Sequence, residues 1–228
     1  MKKLFILFLL PAYVGFGQTP ASPSSGCSEC SDDFVITSIS QLKDVKETDA
    51  FYMHVKSLAE RYGVNVAPCN KTTFGGSQVL TNATLAQMLS SSLQQISELK
   101  EAVMWDINET DIQKIKAKIK LNGFDLYMHK YTSIGEVKDV IATDCYYRFV
   151  KILLEDHKID ITNMAGLLDA RKPANGKNSG MLLKQVFGIP PGDVSKFANL
   201  TITKGEFAIL LNEALDQYNT MMTAAIAQ

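Results

Sequence analysis

The sequence predicts a mainly α-helical protein built from two helix-loop-helix repeats. Three observations support this prediction: an internal repeat, apolar residues at helical spacing within it, and a composition that suits a packed core. The chain has 228 residues, 46% hydrophobic and 21% charged. It is long enough to bury a substantial core, which excludes collagenous, coiled-coil and wholly disordered folds.

The N-terminal region predicts export. A basic start at residues 1–3 is followed by the uncharged apolar run 4–10 and by small residues up to Gly17. This order is typical of a secretory signal peptide, and we expect cleavage after Gly17. The run is shorter than the roughly 20 residues that cross a bilayer, so we expect no transmembrane span in the mature chain. Residues 18–36 are rich in Ser, Pro and Gly and predict a flexible tether.

Charge and cysteine content limit the possible partners. The chain has 23 Lys and Arg against 24 Asp and Glu, so it offers no basic field to a nucleic acid. Cys27 and Cys30 lie in the predicted tether and suit a local disulfide or a thiol link to a partner, whereas Cys69 and Cys145 suit a core pair or two isolated buried thiols. No further metal-ligand spacing is present, and we expect no metal and no cofactor.

The internal repeat pairs residues 44–64 with residues 139–159. Nine of 21 positions are identical at an offset of 95 residues. Phe51, Val55, Leu58, Ala59 and Tyr62 follow helical spacing, and the second copy repeats that stripe. Each copy therefore predicts a first helix, with Thr48 or Asp49, and Thr143 or Asp144, as N-caps.

A second helix is predicted in each repeat. One opens at Thr81 and carries the stripe Leu85, Met88, Leu89, Leu93 and Ile96. The other opens at Thr203 and carries the stripe Phe207, Leu210, Leu211, Leu215 and Tyr218. These helices match at an offset of 122 residues, which predicts a 27-residue insertion in repeat 2, with turn-rich residues 173–180 and a short helix at 181–187.

The predicted organisation follows from these elements. The boundaries are a signal peptide at 1–17, a tether at 18–36, repeat 1 at 37–97, a helical connector at 98–133, repeat 2 at 134–220 with its insertion at about 164–194, and a C-terminal tail at 221–228.

The sequence lacks the usual parts of an enzyme, and we expect none. Its three histidines lie in separate segments, with no nucleophile elbow and no zinc-binding pair. Glu60 and Glu155 recur, but equivalent positions of two repeats do not naturally face one cleft. We expect Glu60 to support a helix end or a packing contact.

The repeat resembles the S-layer homology family. The Asp-Val pairs at 44–45 and 139–140, before the first helices, and the Thr-Lys-Gly-Glu motif at 203–206 carry the resemblance. Residues 38–63 are similar to the branch found at the N-termini of cyanobacterial outer-membrane porins. This resemblance implies a noncatalytic module that holds an exported protein to cell-wall polysaccharide or peptidoglycan, in the periplasm, at the outer membrane or on the surface of a bacterium.

The resemblance also implies candidate binding residues. The family's tryptophan aligns with Ala50 and Cys145, so Tyr52 and Tyr147 are its nearest substitutes. The full set of candidate contacts is Thr203, Lys204, Glu206, Asp144, Tyr147, Asp49 and Tyr52.

Two alternatives remain open from the sequence. Thr203 and Glu206 have the spacing of a capping box, which needs no ligand. The missing tryptophan and the absence of a third recognisable repeat also fit an exported protein-interaction module that has lost sugar binding. Such a module would form a homo-oligomer or bind another envelope protein.

Overall fold

The protein is mainly α-helical. The computed structural model describes residues 35–67, 72–104, 131–162, 165–187 and 200–226, and within these ranges it has five α-helices and no β-sheet. The helices are α1 (Tyr52–Lys56), α2 (Asn82–Met104), α3 (Tyr147–Lys151), α4 (Gly176–Phe187) and α5 (Lys204–Ile226). Two 3₁₀ turns, Ile39–Gln41 and Ile134–Glu136, precede α1 and α3.

The two short first helices end in the same unusual way. α1 continues into a π-helical turn at Ser57–Arg61, and α3 continues into one at Ile152–Asp156. The predicted N-caps are wrong, because Phe51 and Tyr146 occupy these positions without a capping side chain. Asp49 and Asp144 instead accept bonds from the backbone N–H groups three residues earlier, at 2.8 Å in both cases, so each closes the turn before its helix.

Backbone hydrogen bonds repeat between the two copies through the loop that follows each first helix. The N–H of Lys43 donates to the carbonyl of Thr72, and that of Lys138 donates to Gly166. The Asp44 carboxylate accepts from the N–H groups of residues 74 and 75, while the Asp139 carboxylate accepts from those of residues 168 and 169. The offset here is 94 residues, so repeat 2 keeps the chain path of repeat 1 beyond its first helix.

Three extended segments join in a ring from which three long helices begin. Isolated β-bridges pair Val79 with Thr203, Thr81 with Pro173, and Asn175 with Thr201. Leu80, Ala174 and Ile202, one from each segment, are buried at the centre of the ring. α2, α4 and α5 follow directly from these segments, so the described part of the chain has three equivalent helix starts where the sequence predicted two.

This ring corrects the predicted insertion. α4 follows the 94-residue register of repeat 2 and takes the place that α2 has in repeat 1, whereas α5 begins from the third segment. α4 also starts within residues predicted to be a turn. Asn175 accepts bonds from the N–H groups of Lys177 and Asn178, and the N–H of Gly176 donates to Leu200. These cap and ring contacts override the low helix propensity of the glycines.

The core confirms the two predicted second-helix stripes. Every residue of each stripe is less than 9% exposed, and in α2 the burial extends to polar Gln87, Ser90, Ser91 and Ser92. Residues 85–93 of α2 are therefore buried on every face of the helix. Two predicted boundaries are corrected: Ile36, assigned to the tether, is fully buried, and the predicted tail is helical up to Ile226, with Met222 buried.

Some sequence predictions concern residues outside the described ranges. The signal peptide, most of the tether, Cys27, Cys30 and Cys69, and much of the connector lie there. Cys145 is described, and it forms a disulfide. Among the helices of the described ranges, none combines the length and the apolar character that crossing a membrane requires.

Candidate functional site

The predicted contacts Thr203 and Glu206 form a capping box at the start of α5. The Glu206 carboxylate accepts from the backbone N–H and the hydroxyl of Thr203, at 2.7 and 2.9 Å. The N–H of Glu206 donates in return to the Thr203 hydroxyl at 3.2 Å. Both side chains are thus engaged in helix capping, as the alternative reading of the motif predicted.

Lys204, the predicted cation of a binding groove, points into the protein. Its ammonium group donates to the carbonyl of Phe74 and lies 5.0 Å from the centre of the Phe74 ring. Burial lowers the pKa of Lys204, and the negative charge of Asp44 partly opposes that shift. The side chain is half-buried, and its contacts connect the start of α5 to the repeat 1 loop.

In repeat 2 an uncharged side chain makes the equivalent contact. The Asn82 side-chain amide, at the start of α2, donates to the carbonyls of Leu168 and Asp169 at 3.3 and 3.2 Å. Residue 168 corresponds to Phe74, so Asn82 does in repeat 2 what Lys204 does in repeat 1. Each repeat's loop therefore contacts the start of a helix from another part of the chain.

This arrangement creates a cleft beside each repeat, and the cleft of repeat 1 is filled by Phe51. The Phe51 ring packs over Gly76 and Gly205 and lies 5.7 Å from the Phe74 ring. Phe51 itself is half-buried and contacts the hydrophobic core. Of the predicted contacts in this repeat, Asp49 closes its turn and Tyr52 is partly buried against the core.

The corresponding cleft of repeat 2 is open. It has a volume of about 380 Å³ and is lined by Asp139, Ile141, Asp144, Tyr146, Asp169, Ala170, Arg171 and Lys172. Of the predicted contacts, Asp144 lines this cleft, whereas Tyr147 is partly buried against the core and does not. We call this space the Tyr146 cleft.

The Tyr146 cleft combines an aromatic ring with both signs of charge. Burial raises the pKa of Tyr146, the charge of Asp144 and a hydrogen bond to it add to the rise, and nearby Arg171 opposes it. Arg171 and Lys172 are exposed, and Lys172 forms a 3.0 Å ion pair with Asp169. Ile141 adds an apolar surface that is 61% exposed.

The backbone of Asp169 is strained. Asp169 has a φ of 52°, in the left-handed region of backbone conformation that residues other than glycine rarely adopt. Repeat 1 has Gly75 at this position, with a φ of 70°. The Asp139 carboxylate holds the N–H of Asp169 at 2.8 Å, which fixes the strained residue at the edge of the cleft.

A second cavity of about 450 Å³ adjoins the Tyr146 cleft and shares Asp169 with it. The starts of α2 and α4 line this cavity, with an apolar part that includes Leu85, Leu168 and Leu182. Ser179, also in the lining, is 1% exposed, and its hydroxyl has no hydrogen-bond partner among the described residues. Space for a ligand therefore continues beyond the charged cleft.

Other polar groups have structural roles. The carboxylates of Glu60 and Glu155 each accept a 3.0 Å bond from the backbone N–H that begins their own repeat's 3₁₀ turn, at Ile39 and Ile134. The Asp216 carboxylate accepts from Tyr62, Arg61 and Asn212, linking α5 to repeat 1. No group of histidine, cysteine and carboxylate side chains in the described ranges is placed to hold a metal ion.

Sequence reasoning missed Tyr146, Arg171 and Lys172 as cleft residues. Tyr146 was visible in the repeat as the counterpart of Phe51, but the family alignment directed attention to its neighbour Tyr147. Arg171 and Lys172 were assigned to the insertion. The 94-residue offset of the loop after the first helix aligns Arg171 and Lys172 with residues 77 and 78 of repeat 1.

Comparisons with protein-family models, with curated proteins and with solved structures gave no match to this chain.

Proposed function

We propose that this protein is a noncatalytic module that attaches an exported protein to the bacterial cell envelope, by binding cell-wall polysaccharide or peptidoglycan at the Tyr146 cleft. The observation that carries the proposal is the cleft itself: an open, charged space with one aromatic ring, lined by residues 139–146 before α3 and by the loop at 169–172. Its contacts differ from those expected at Lys204, whose side chain is committed to the loop.

The chemistry of the cleft suits an acidic saccharide. The Tyr146 ring offers a flat apolar surface with a polar end, against which a sugar ring can pack. The Arg171 guanidinium matches a carboxylate or phosphate in two-point geometry, whereas the positive charge of Lys172 is already paired with Asp169. Asp139 and Asp144 supply acceptors for sugar hydroxyl groups. A few polar groups around a partly apolar surface are typical of a small-ligand site.

The same contacts support membership of the S-layer homology family as part of the proposal. The recurring Asp-Val pairs have a shared physical role, because both Asp carboxylates hold two backbone N–H groups of the following loop. We propose a fold of two helix-loop-helix repeats of that family, completed by a third helix start at α5. Export through residues 1–17 places the module in the periplasm, at the outer membrane or on the cell surface.

Binding to purified cell wall tests the proposal. We expect the purified protein to sediment with wall material and Arg171→Ala to weaken its affinity for the wall at least about tenfold, because a charge-assisted contact is worth about 1.5–3 kcal/mol. Lys177→Ala is the matched control, since Lys177 is exposed and is not among the cleft residues. Equal binding by the two variants, or no binding by the unmodified protein, would refute the proposal.

The interaction-module alternative makes a different prediction. A protein that serves only assembly would form a stable oligomer in light scattering, without sedimenting with the wall. That combination of results would replace wall binding with protein binding as the function.

A further inference from the structure

We infer that two residues beneath each cleft decide whether it is open, and that of these two clefts only the Tyr146 cleft acts as a binding site. The residues are Gly76 and Gly205 in repeat 1, and Ala170 and Ala83 in repeat 2. This inference rests on the proposed function and adds a division of roles between two structurally equivalent clefts. In this inference the Phe51 side chain closes the repeat 1 cleft, and the two alanines are positioning residues that keep the Tyr146 ring at the edge of the repeat 2 cleft.

Backbone contacts establish that the two pairs are equivalent. The N–H of Gly205 donates to the carbonyl of Gly76 at 2.8 Å, and the N–H of Ala83 donates to the carbonyl of Ala170 at 3.1 Å. The preceding residues repeat the pattern. The backbone N–H of Lys204 donates to the carbonyl of Gln78 at 2.9 Å, and the backbone N–H of Asn82 donates to the carbonyl of Lys172 at 3.1 Å. The helix start and the loop thus meet in the same way in both clefts.

In repeat 1 the absence of two methyl groups admits the Phe51 ring. A Cβ built on Gly76 would lie 2.2 Å from Cζ of Phe51, and one built on Gly205 would lie 2.4 Å from its Cδ1. Carbon atoms without a bond between them pack at about 3.5–4.0 Å, so either methyl group would expel the ring. Phe51 therefore seals this cleft only because both positions are glycine.

In repeat 2 both methyl groups are present. Ala170 is buried beneath the cleft, and Ala83 packs against the core beside it. Tyr146, the counterpart of Phe51, cannot enter the equivalent slot without meeting these methyl groups. Its ring lines the cleft instead, together with Asp144. The same two positions thus close one cleft and hold the other open.

The number of ligands per chain follows from which of the two clefts is open. The ammonium group of Lys204 lies at the sealed cleft, but it donates a hydrogen bond to the carbonyl of Phe74. The open cleft presents Arg171, Lys172 and Tyr146 to solvent, so we infer one acidic saccharide per chain at this pair of clefts. A chain with two acting clefts would take two.

The test exchanges the pairs in the full chain. In Ala83→Gly/Ala170→Gly, we expect the Tyr146 ring to enter its slot, and hydroxyl-radical labelling of Tyr146, mapped by mass spectrometry, to fall severalfold. Calorimetric titration with solubilised cell-wall polysaccharide should show one site in the unmodified protein and at least about tenfold weaker binding in the variant. Ala142→Gly/Ala224→Gly controls for added glycine, since both of these alanines are exposed.

The reciprocal change provides a second readout. Gly76→Ala/Gly205→Ala should expel Phe51 and raise its labelling, and Phe51→Ala should leave binding at the Tyr146 cleft unchanged, which keeps the test decisive if the double variant fails to fold. Unchanged Tyr146 labelling in Ala83→Gly/Ala170→Gly, or two equal sites in the unmodified protein, would overturn the inference. Absence of any polysaccharide binding by the unmodified protein, with the labelling changes intact, would refute the proposed function and leave the closure mechanism standing.

Discussion

Replacing Lys204 with alanine separates a structural cation from a ligand contact. As a contact, Lys204 would contribute to binding and little to stability. In the structure its ammonium group instead donates to the carbonyl of Phe74, a residue with 0% exposure, and lies over the Phe74 ring. We therefore expect Lys204→Ala to lower the free energy of unfolding and to leave wall binding intact.

The magnitude follows from the lost contacts. A hydrogen bond from a charged donor contributes about 1.5–3 kcal/mol, and a cation-π contact adds about 0.5–1 kcal/mol. Relief of the desolvation that lowers the pKa of Lys204 offsets part of this loss. We expect a net loss of about 2 kcal/mol, which corresponds to a fall in Tm of about 4–8 °C for a protein of this size.

Urea unfolding followed by circular dichroism measures this loss, and wall sedimentation measures binding in the same preparations. Lys204→Met is the matched variant, because it keeps an apolar stem against Phe74 and removes only the charged donor. We expect its stability to lie between those of the unmodified protein and Lys204→Ala. A Lys204→Ala variant that unfolds like the unmodified protein but no longer binds the wall would show that the assignment is wrong.

Three further predictions concern stability. Asp216→Ala should cost about 2–3 kcal/mol in urea unfolding, because it leaves the buried Tyr62 hydroxyl without its 2.6 Å acceptor, whereas Arg61→Ala should cost at most about 1 kcal/mol; similar losses would contradict this. Burial raises the pKa of Tyr218 to about 12, so its stabilising contribution is complete below pH 10 and about 2–3 kcal/mol of it is lost as the pH rises through 12. Tyr218→Phe should flatten that part of the stability profile, and an unchanged profile would count against the burial effect. Cys145→Ser should lower stability by about 2–5 kcal/mol through loss of the disulfide, with thermal unfolding as the measurement and an unchanged Tm as the contrary result.

Long helices with regular apolar spacing were predictable from the sequence. The stripes of α2 and α5 are buried as predicted, because a 3.6-residue period specifies one face of a helix whatever packs against it. The π-helical turns after α1 and α3 were not, since they widen the helix without changing which residues are apolar. The burial of Ser90 and Ser92 was also invisible, because it depends on neighbours on every side of α2.

α4 shows where local sequence misleads. Asn175, Gly176 and Gly180 favour a turn on their own propensities. The helix forms because Asn175 caps it and because the N–H of Gly176 bonds to Leu200 in the ring. That bond joins residues from different segments, and nothing in the local pattern indicates it.

The candidate site was predictable only in part. Asp144 was identified from the repeat and lines the cleft. The role of Lys204 depends on a carbonyl 130 residues away, at Phe74, and the closure by Phe51 depends on Gly205, which is even more distant in sequence. A sequence motif identifies the residue types at a helix start, whereas the tertiary contacts determine where each side chain lies and what it binds.

Wall binding by Tyr146→Ala and Phe51→Ala, measured side by side, tests the central claim most directly. The two residues occupy equivalent positions, one lining the open cleft and one filling the sealed cleft. Sedimentation with purified cell wall should fall at least about tenfold for Tyr146→Ala and stay unchanged for Phe51→Ala. Retained binding by Tyr146→Ala, or equal loss in both variants at equal folded fraction, would contradict the assignment of the Tyr146 cleft as the attachment site.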